Sequence, residues 1–185
     1  MLTKDELLNL IEWDENELGH CKLFVPLFNK EMSFLFFPEL FKKPTISSKM
    51  AETANDILQI QPSELEKVKE LIWEECLFSF EVGDYGFTPE NGETHVEAHL
   101  RGMEISNKED AITKSIFRDI VIHNENDKFK GRYAEISVDS ASDNLISIII
   151  KDGRIIDFDE NGCYLGAFDK DEFFAKRHRN AVLNQ

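Results

Sequence analysis

Two turn-forming dipeptides divide an apolar stretch in the last third of the chain, LISIIIK-DG-RIIDFDE-NG-CYLGAF. Asp152-Gly153 and Asn161-Gly162 readily adopt the positive φ angles of a type I′ turn, which joins neighbouring antiparallel strands. The spacing therefore predicts a three-stranded antiparallel meander over residues 145–168. Two further strand-like runs, IFRDIVI and YAEISV, precede the meander, so that a sheet of about five strands is expected.

Helical periodicity is strongest in the first half of the chain. Apolar residues recur with the 3.6-residue period near residues 4–12, 48–59 and 63–78, and each segment is predicted to form a helix that packs on the sheet. The run HCKLFVPLFNKEMSFLFF is predicted to form a hairpin, with Pro26 at an edge or a bulge. Since no helix alternates regularly with the strands, the pattern favours one α+β domain over residues 1–185. The residues predicted to be buried are Leu71, Ile72, Ile120, Ile122, Ile148, Ile156 and Phe158.

The charge balance restricts the partners that such a chain can bind. Thirty-six acidic residues against 21 lysines and arginines give a net charge of −15. This field repels nucleic acid and anionic membranes and favours basic protein partners, although solubility alone also explains an acidic composition. Acidic residues are unopposed along the chain in two segments, residues 81–97 and 133–150. The pattern leaves the oligomeric state open.

Alternation along the middle strand of the meander indicates where a basic partner would bind. Ile156 and Phe158 are expected to face the helices, so that Asp157 and Asp159 face water on the other side of the sheet. A rival site is the long acidic loop that begins at Glu81. The candidate partner-binding residues are Asp139, Asp143, Asp157, Asp159 and Glu160, with Glu90 and Glu93 of the loop as the rival pair. The alternative is a solvated sheet face without a partner.

The stretch ETHVEAH, residues 93–99, offers a possible metal site. On a helix, His95 and His99 would share a face and Glu97 would point away from them, where it cannot act as their general base. On a strand, all three side chains would project from one face and could hold a metal, together with a further ligand that the sequence does not identify. Because residues 83–97 contain three glycines and a proline, they are predicted to form a loop. A metal-dependent hydrolase using His95, Glu97 and His99 is therefore the alternative function.

No other motif indicates catalysis or a cofactor. The stretch DFDENG matches the first half of an EF-hand calcium loop, but the twelfth position is Phe168 instead of glutamate. Nucleophile elbows, phosphate-binding glycine loops and dinucleotide fingerprints are all missing from the sequence. Three cysteines without a C-x-x-C pair are typical of reduced thiols. With no signal-peptide pattern and no apolar run long enough to span a bilayer, the predicted location is the cytoplasm.

Five stretches occur in a fixed order along the chain: LIWEECLFSF, DYGF, NKEDA, AEISVDSASDN and IIKDGRIIDFDENGCYLGAF. This series resembles a family of bacterial α+β domains that recurs among immunity proteins of polymorphic toxin and contact-dependent growth-inhibition systems. The resemblance covers roughly residues 30–170. It implies a cytoplasmic, non-enzymatic protein that binds and neutralises a cognate toxin domain, and it carries no catalytic residues over. A regulatory module that binds another basic protein is a further alternative.

Overall fold

The computed structural model describes residues 1–39 and 42–184. Within these residues the chain forms seven α-helices, seven β-strands and three short 3-10 turns. The helices are α1 (Lys4–Leu10), α2 (Ser48–Leu58), α3 (Leu65–Val82), α4 (His95–Gly102), α5 (Lys108–Lys114), α6 (Gly166–Lys170) and α7 (Phe174–Leu183). The strands are β1 (Glu12–Trp13), β2 (Gly19–Val25), β3 (Lys30–Phe37), β4 (Ile116–His123), β5 (Tyr133–Asp139), β6 (Leu145–Lys151) and β7 (Arg154–Glu160).

All seven strands belong to one sheet, in the order of the chain from β1 to β7. Every neighbouring pair is antiparallel except β3 and β4, which run parallel because helices α2 to α5 connect them across one face. The α+β prediction and the predicted hairpin are confirmed, and the sheet is larger than the five strands expected. Pro26 lies just beyond the end of β2, in the 3-10 turn that joins it to β3.

The predicted third strand of the 145–168 meander is wrong, because the chain after β7 forms α6. The Asp152-Gly153 turn has positive φ at both residues, whereas after β7 only Gly162 does. The Asn161 side chain instead lies on the sheet, where its Oδ1 is 3.2 Å from the hydroxyls of Ser137 and Ser147. These contacts direct the chain after β7 onto the face of the sheet instead of back along its edge. The observed meander therefore consists of β5, β6 and β7.

One face of the sheet, here called the helix-covered face, carries the main hydrophobic core. The three predicted helices pack their apolar stripes on it, as Leu7 of α1, Met50 of α2 and Ile72 of α3 are all buried there. The other residues that the sequence placed in the core and that are buried as predicted are Leu71, Ile120, Ile122, Ile148 and Phe158.

A β-bulge in β7 makes the seventh core prediction wrong. Ile149 pairs with Asp157 and Ile150 pairs with Ile155, so that Ile156 is an extra residue between them. A bulge interrupts the two-residue alternation of a strand. Ile156 is consequently only half-buried and packs against a second hydrophobic cluster, on the opposite face of the sheet from Phe158.

The second cluster covers part of the other face of the sheet, here called the open face. It consists of Tyr133, Ile149, Leu165, Phe168 and Ala175. The Asp169 carboxylate of α6 accepts hydrogen bonds from the backbone of Lys130 and Gly131, at 2.9 Å each, and anchors the helix there. None of the helices described in 1–39 and 42–184 is long and apolar enough to cross a membrane.

Candidate functional site

A cleft lies where the second half of α3 meets the end of β7 and helix α7. We call it the α3–α7 cleft; its volume is about 700 Å³. Polar residues of its floor are Glu75, Ser79, Tyr85 and Asn144, its apolar wall includes Phe78 and Val82, and its rim carries Asp159, Glu160 and His178. The cleft therefore combines polar groups, apolar surface and two carboxylates at its rim.

Glu75 is the centre of the polar floor. Its side chain projects from α3 on the same face as Ser79, one turn later, whose hydroxyl donates to Glu75 Oε1 at 2.7 Å. The turn between β5 and β6 supplies two further donors to the same oxygen, Ser142 Oγ at 2.7 Å and Asn144 Nδ2 at 3.0 Å. Glu75 is only 2% exposed. One carboxylate oxygen therefore accepts from three side chains inside the protein.

The amide of Asn144 has more acceptors around it than hydrogens to donate. Besides Glu75 Oε1, its Nδ2 lies 2.9 Å from Ser79 Oγ and 3.1 Å from Tyr85 Oη. An amide carries two N–H donors. Glu75 Oε2, by contrast, has no hydrogen-bond partner in the described residues although it is buried. Among the polar atoms of the floor, Glu75 Oε2 is thus the one that lacks a donor within the described residues.

Arg179 of α7 lies in the wall of the cleft, next to the end of β7. Its guanidinium donates to Asp157 Oδ1 at 2.7 Å, to Glu74 Oε1 at 3.0 Å and to the Phe158 carbonyl at 2.9 Å. The group also stacks over the Phe158 ring, 3.7 Å from its centroid. Arg179 and Phe78 also line a neighbouring groove of about 720 Å³ on the outer side of α3.

Asp157 is therefore not the water-facing carboxylate that alternation predicted. It is 4% exposed, pairs with Arg179 and accepts a further hydrogen bond from the backbone of Lys176 at 3.2 Å. Asp157 does lie on the face opposite Phe158, as alternation predicted, because it pairs with Ile149. It is buried because α7 covers it there. Buried carboxylates of this kind are paired because an isolated charge is costly away from water.

The other strand carboxylates have different surroundings. Asp159 is half-buried at the cleft rim, where burial raises its pKa, and Glu160 beside it is exposed. Asp143 is exposed in the β5–β6 turn, next to Asn144. Asp139 lies 2.6 Å from Arg118 Nη2 and is thus paired. The structure brings Asp159 and Glu160 together at the cleft and places Asp139 in a separate ion pair.

The rival acidic loop contains no lysine or arginine, but an arginine of α4 lies beside two of its carboxylates in the folded protein. Arg101 of α4 makes a two-point contact with Glu93, with both nitrogen–oxygen distances at 2.9 Å, and lies 3.4 Å from Glu90. The hydrogen bond from Arg101 lowers the pKa of Glu93 to about 2. Both predicted rival residues are therefore opposed by one guanidinium.

The predicted loop 83–97 ends at Thr94, where α4 begins with a capping box. Thr94 Oγ1 accepts from the Glu97 backbone, and the Glu97 carboxylate accepts from the Thr94 backbone at 2.7 Å. Glu97 is thus occupied at the helix start and does not converge with His95 and His99. The three-ligand arrangement that a strand would have allowed is not formed.

The two histidines of α4 contact each other instead. Their Nε2 atoms are 2.8 Å apart, and His95 Nε2 lies 3.1 Å from the Gly83 carbonyl. His99 is completely buried, in contact with the rings of Phe80, Tyr85 and Phe87. Over residues 1–39 and 42–184, no three His, Cys, Asp or Glu side chains are arranged to hold a metal ion. The pair joins the loop after α3 to α4.

None of the three cysteines has surroundings that favour a nucleophile. Burial raises the pKa of Cys76 and of Cys163, with nearby carboxylates adding to the effect, and burial raises the pKa of Cys21 to about 11. A thiol reacts through its thiolate, which such environments suppress.

A second polar cluster lies on the open face of the sheet. Ser147 Oγ donates to Glu135 Oε2 at 2.8 Å, and His123 Nε2 is 3.9 Å from Glu135 Oε1. Burial raises the pKa of Glu135 and lowers that of His123, so that burial favours the neutral form of both. The sequence had shown Glu135 only as one of the unopposed acids.

The residues that sequence reasoning missed are those of the cleft floor and its wall. One signal was available: Glu75 and Ser79 occupy positions of α3 that continue the apolar stripe of Leu71 and Ile72. A charged residue at a core position of a helix requires a partner. No such signal exists for Arg179, whose partners lie 22 and 105 residues away.

No family model matches the chain, and neither the curated proteins nor the solved structures contain a significant match.

Proposed function

We propose that this protein is a non-enzymatic, acidic interaction protein that binds a basic protein partner. In its specific form, the proposal is a cytoplasmic bacterial immunity protein that binds and neutralises a cognate toxin domain. The observation that carries it is the grouping of Asp159, Glu160 and the buried Glu75 in one cleft of a chain with net charge −15.

Electrostatics supports a basic partner in two ways. The net charge attracts a cationic protein over long distance and raises its association rate. The cleft then offers carboxylates close together, and its own cation, Arg179, is already paired with Asp157 and Glu74. A basic surface docked there would meet Glu75, Asp159 and Glu160, none of which forms an ion pair within residues 1–39 and 42–184.

The two alternatives differ in what the structure offers them. A metal-dependent hydrolase has two adjacent histidines but lacks Glu97, which caps α4. A regulatory module for another basic protein would use the same α3–α7 cleft as an immunity protein. The toxicity of the partner separates these last two functions.

Co-expression with the product of the adjacent gene tests the specific form of the proposal. We expect that product to inhibit growth when expressed alone, to lose its toxicity when this protein is present, and to copurify with it. A neighbouring product that is neither toxic nor retained would contradict the immunity function.

Charge-reversal variants then test whether the basic partner binds at the α3–α7 cleft. We expect Asp159→Lys with Glu160→Lys to slow association with the basic partner by about tenfold at low salt, and less at high salt. The matched control is Glu90→Lys with Glu93→Lys, which changes the charge equally. Because Arg101 already opposes those two carboxylates, we expect a change of less than about threefold. Equal effects of the two pairs would contradict the choice of the cleft.

A further inference from the structure

The unpartnered oxygen of Glu75 is the feature of the α3–α7 cleft that the fold alone does not explain. Buried carboxylate oxygens accept hydrogen bonds in nearly all proteins, and each exception requires a physical reason. Glu75 Oε2 is buried and has no partner, although Oε1 of the same group has three. The carboxylate is thus held firmly by one oxygen while the other lacks a donor.

The described part of the chain supplies no cation for this group. No lysine, arginine or histidine nitrogen in residues 1–39 and 42–184 lies within 4.0 Å of the Glu75 carboxylate. Arg179 lines the same cleft, but it donates to Asp157, Glu74 and the Phe158 carbonyl. A cation that pairs with Glu75 would therefore have to come from outside these residues.

The surroundings of Glu75 match one side chain in shape and in hydrogen-bonding capacity. Glu75 Oε1, Ser79 Oγ and Tyr85 Oη all lie within reach of Asn144 Nδ2, whose two hydrogens cannot serve all of them. Phe78 and Val82 form an apolar wall along which a methylene stem can lie. Arginine combines such a stem with five N–H donors, and its guanidinium is less strongly hydrated than an ammonium group.

We propose that the α3–α7 cleft receives one arginine side chain of the basic partner, with Glu75 as its buried counter-ion and Asp159 and Glu160 at the entrance. This inference rests on the proposed function, because it names the group through which a basic protein is anchored. Arginine anchors in desolvated pockets commonly carry a large part of the binding energy of an interface.

The test uses the whole protein and a small probe, Nα-acetyl-arginine methylamide, titrated while backbone amide signals are recorded by NMR. The neutral citrulline analogue has nearly the same shape and lacks the charge, and the lysine analogue keeps the charge without the guanidinium. We expect the arginine probe to shift the signals of Ser79, Tyr85 and Asn144 and to bind about tenfold more tightly than the citrulline probe. Lysine binding as tight as arginine binding would overturn the choice of arginine.

Glu75→Gln removes the charge while keeping the shape and an acceptor oxygen. We expect it to weaken the arginine probe about tenfold. The matched control is Glu64→Gln, an exposed residue just before α3 that loses the same charge outside the cleft. Equal effects of the two variants would overturn the proposal. If Glu75→Gln does not fold, the arginine–citrulline comparison on the unaltered protein decides the question, and equal binding or no binding would overturn it.

Failure of this inference and failure of the proposed function give different results. A basic partner that binds the Glu75→Gln variant as tightly as the unaltered protein removes the arginine anchor and leaves the interaction function intact. Specific binding of the probe at the cleft, without any basic protein partner in the co-expression test, supports the arginine site and contradicts the immunity function.

Discussion

The two faces of the sheet are built from the same strands but by different physical means. On the helix-covered face, β3 to β6 present an uninterrupted set of apolar side chains, such as Phe34 and Ile148, to the helices. On the open face, β5 carries Glu135, β6 carries Ser147 and β2 carries the exposed Phe24, and α6 and α7 cover only part of this face. Packing of apolar surface therefore stabilises the first face, whereas the second depends on individual hydrogen bonds and ion pairs.

The largest expected difference between the faces concerns two phenylalanines of the β2–β3 hairpin. Phe34 is completely buried on the helix-covered face, and Phe24 is 55% exposed on the open face. We expect Phe34→Ala to lower the free energy of unfolding by about 3–5 kcal/mol, and Phe24→Ala by less than about 1 kcal/mol. Urea denaturation of both variants measures this. Similar losses would mean that the open face is covered in solution, for example by a second copy of the chain.

The next largest effect is expected at the ion pair that joins α7 to β7. Arg179→Met keeps much of the apolar stem but leaves Asp157 buried without its cation. We expect a loss of about 3 kcal/mol in the free energy of unfolding, because breaking one side of a buried pair leaves an uncompensated charge.

A double-mutant cycle isolates this interaction. Adding Asp157→Asn to Arg179→Met should restore part of the lost stability, since no charge then remains unpaired between them. Arg177→Met is the matched control, because Arg177 lies on the same helix and is largely exposed. Additive effects of Asp157→Asn and Arg179→Met would contradict the coupling.

The comparison of the faces also shows which features are readable from sequence. The helix-covered face was predictable because its apolar residues follow the periods of helices and strands, and six of the seven residues assigned to the core are buried there. The hairpin at Asp152-Gly153 was predictable because its turn chemistry is local. Hydrophobic periodicity and turn-forming residues thus suffice to predict the parts of the fold in which the side chains only pack against one another.

The open face was not predictable by the same rules. The bulge at Ile156 places Ile155 on the helix-covered face and Ile156 on the open face, the reverse of simple alternation, and nothing in the strand itself marks it. Asp157 and Asn161 are positioned by contacts with α7 and with two other strands, which a reading of one segment cannot include. For the same reason the ion pairs of the acidic candidates were not predicted, such as that of Asp157 with Arg179 and that of Glu93 with Arg101.

The smallest expected effect on the free energy of unfolding concerns Glu135. The direction in which this effect changes with pH shows whether the folded state penalises or stabilises the ionised carboxylate. Burial raises the pKa of Glu135 above its ordinary value of 4.5, so that the folded protein binds this proton more tightly than the unfolded chain. The contribution of the group to stability is therefore greatest below pH 4.5 and is lost as the pH rises through the raised pKa of the folded state.

Glu135→Gln does not titrate, and its amide oxygen can still accept from Ser147. We expect the variant to be at least as stable as the unaltered protein near neutral pH and to lose this advantage on acidification. Urea denaturation across that pH range measures the difference, with Glu31→Gln on the exposed part of β3 as the control for charge. An advantage that grows as the pH falls would show that the Glu135 carboxylate is stabilised in the folded state by its neighbours.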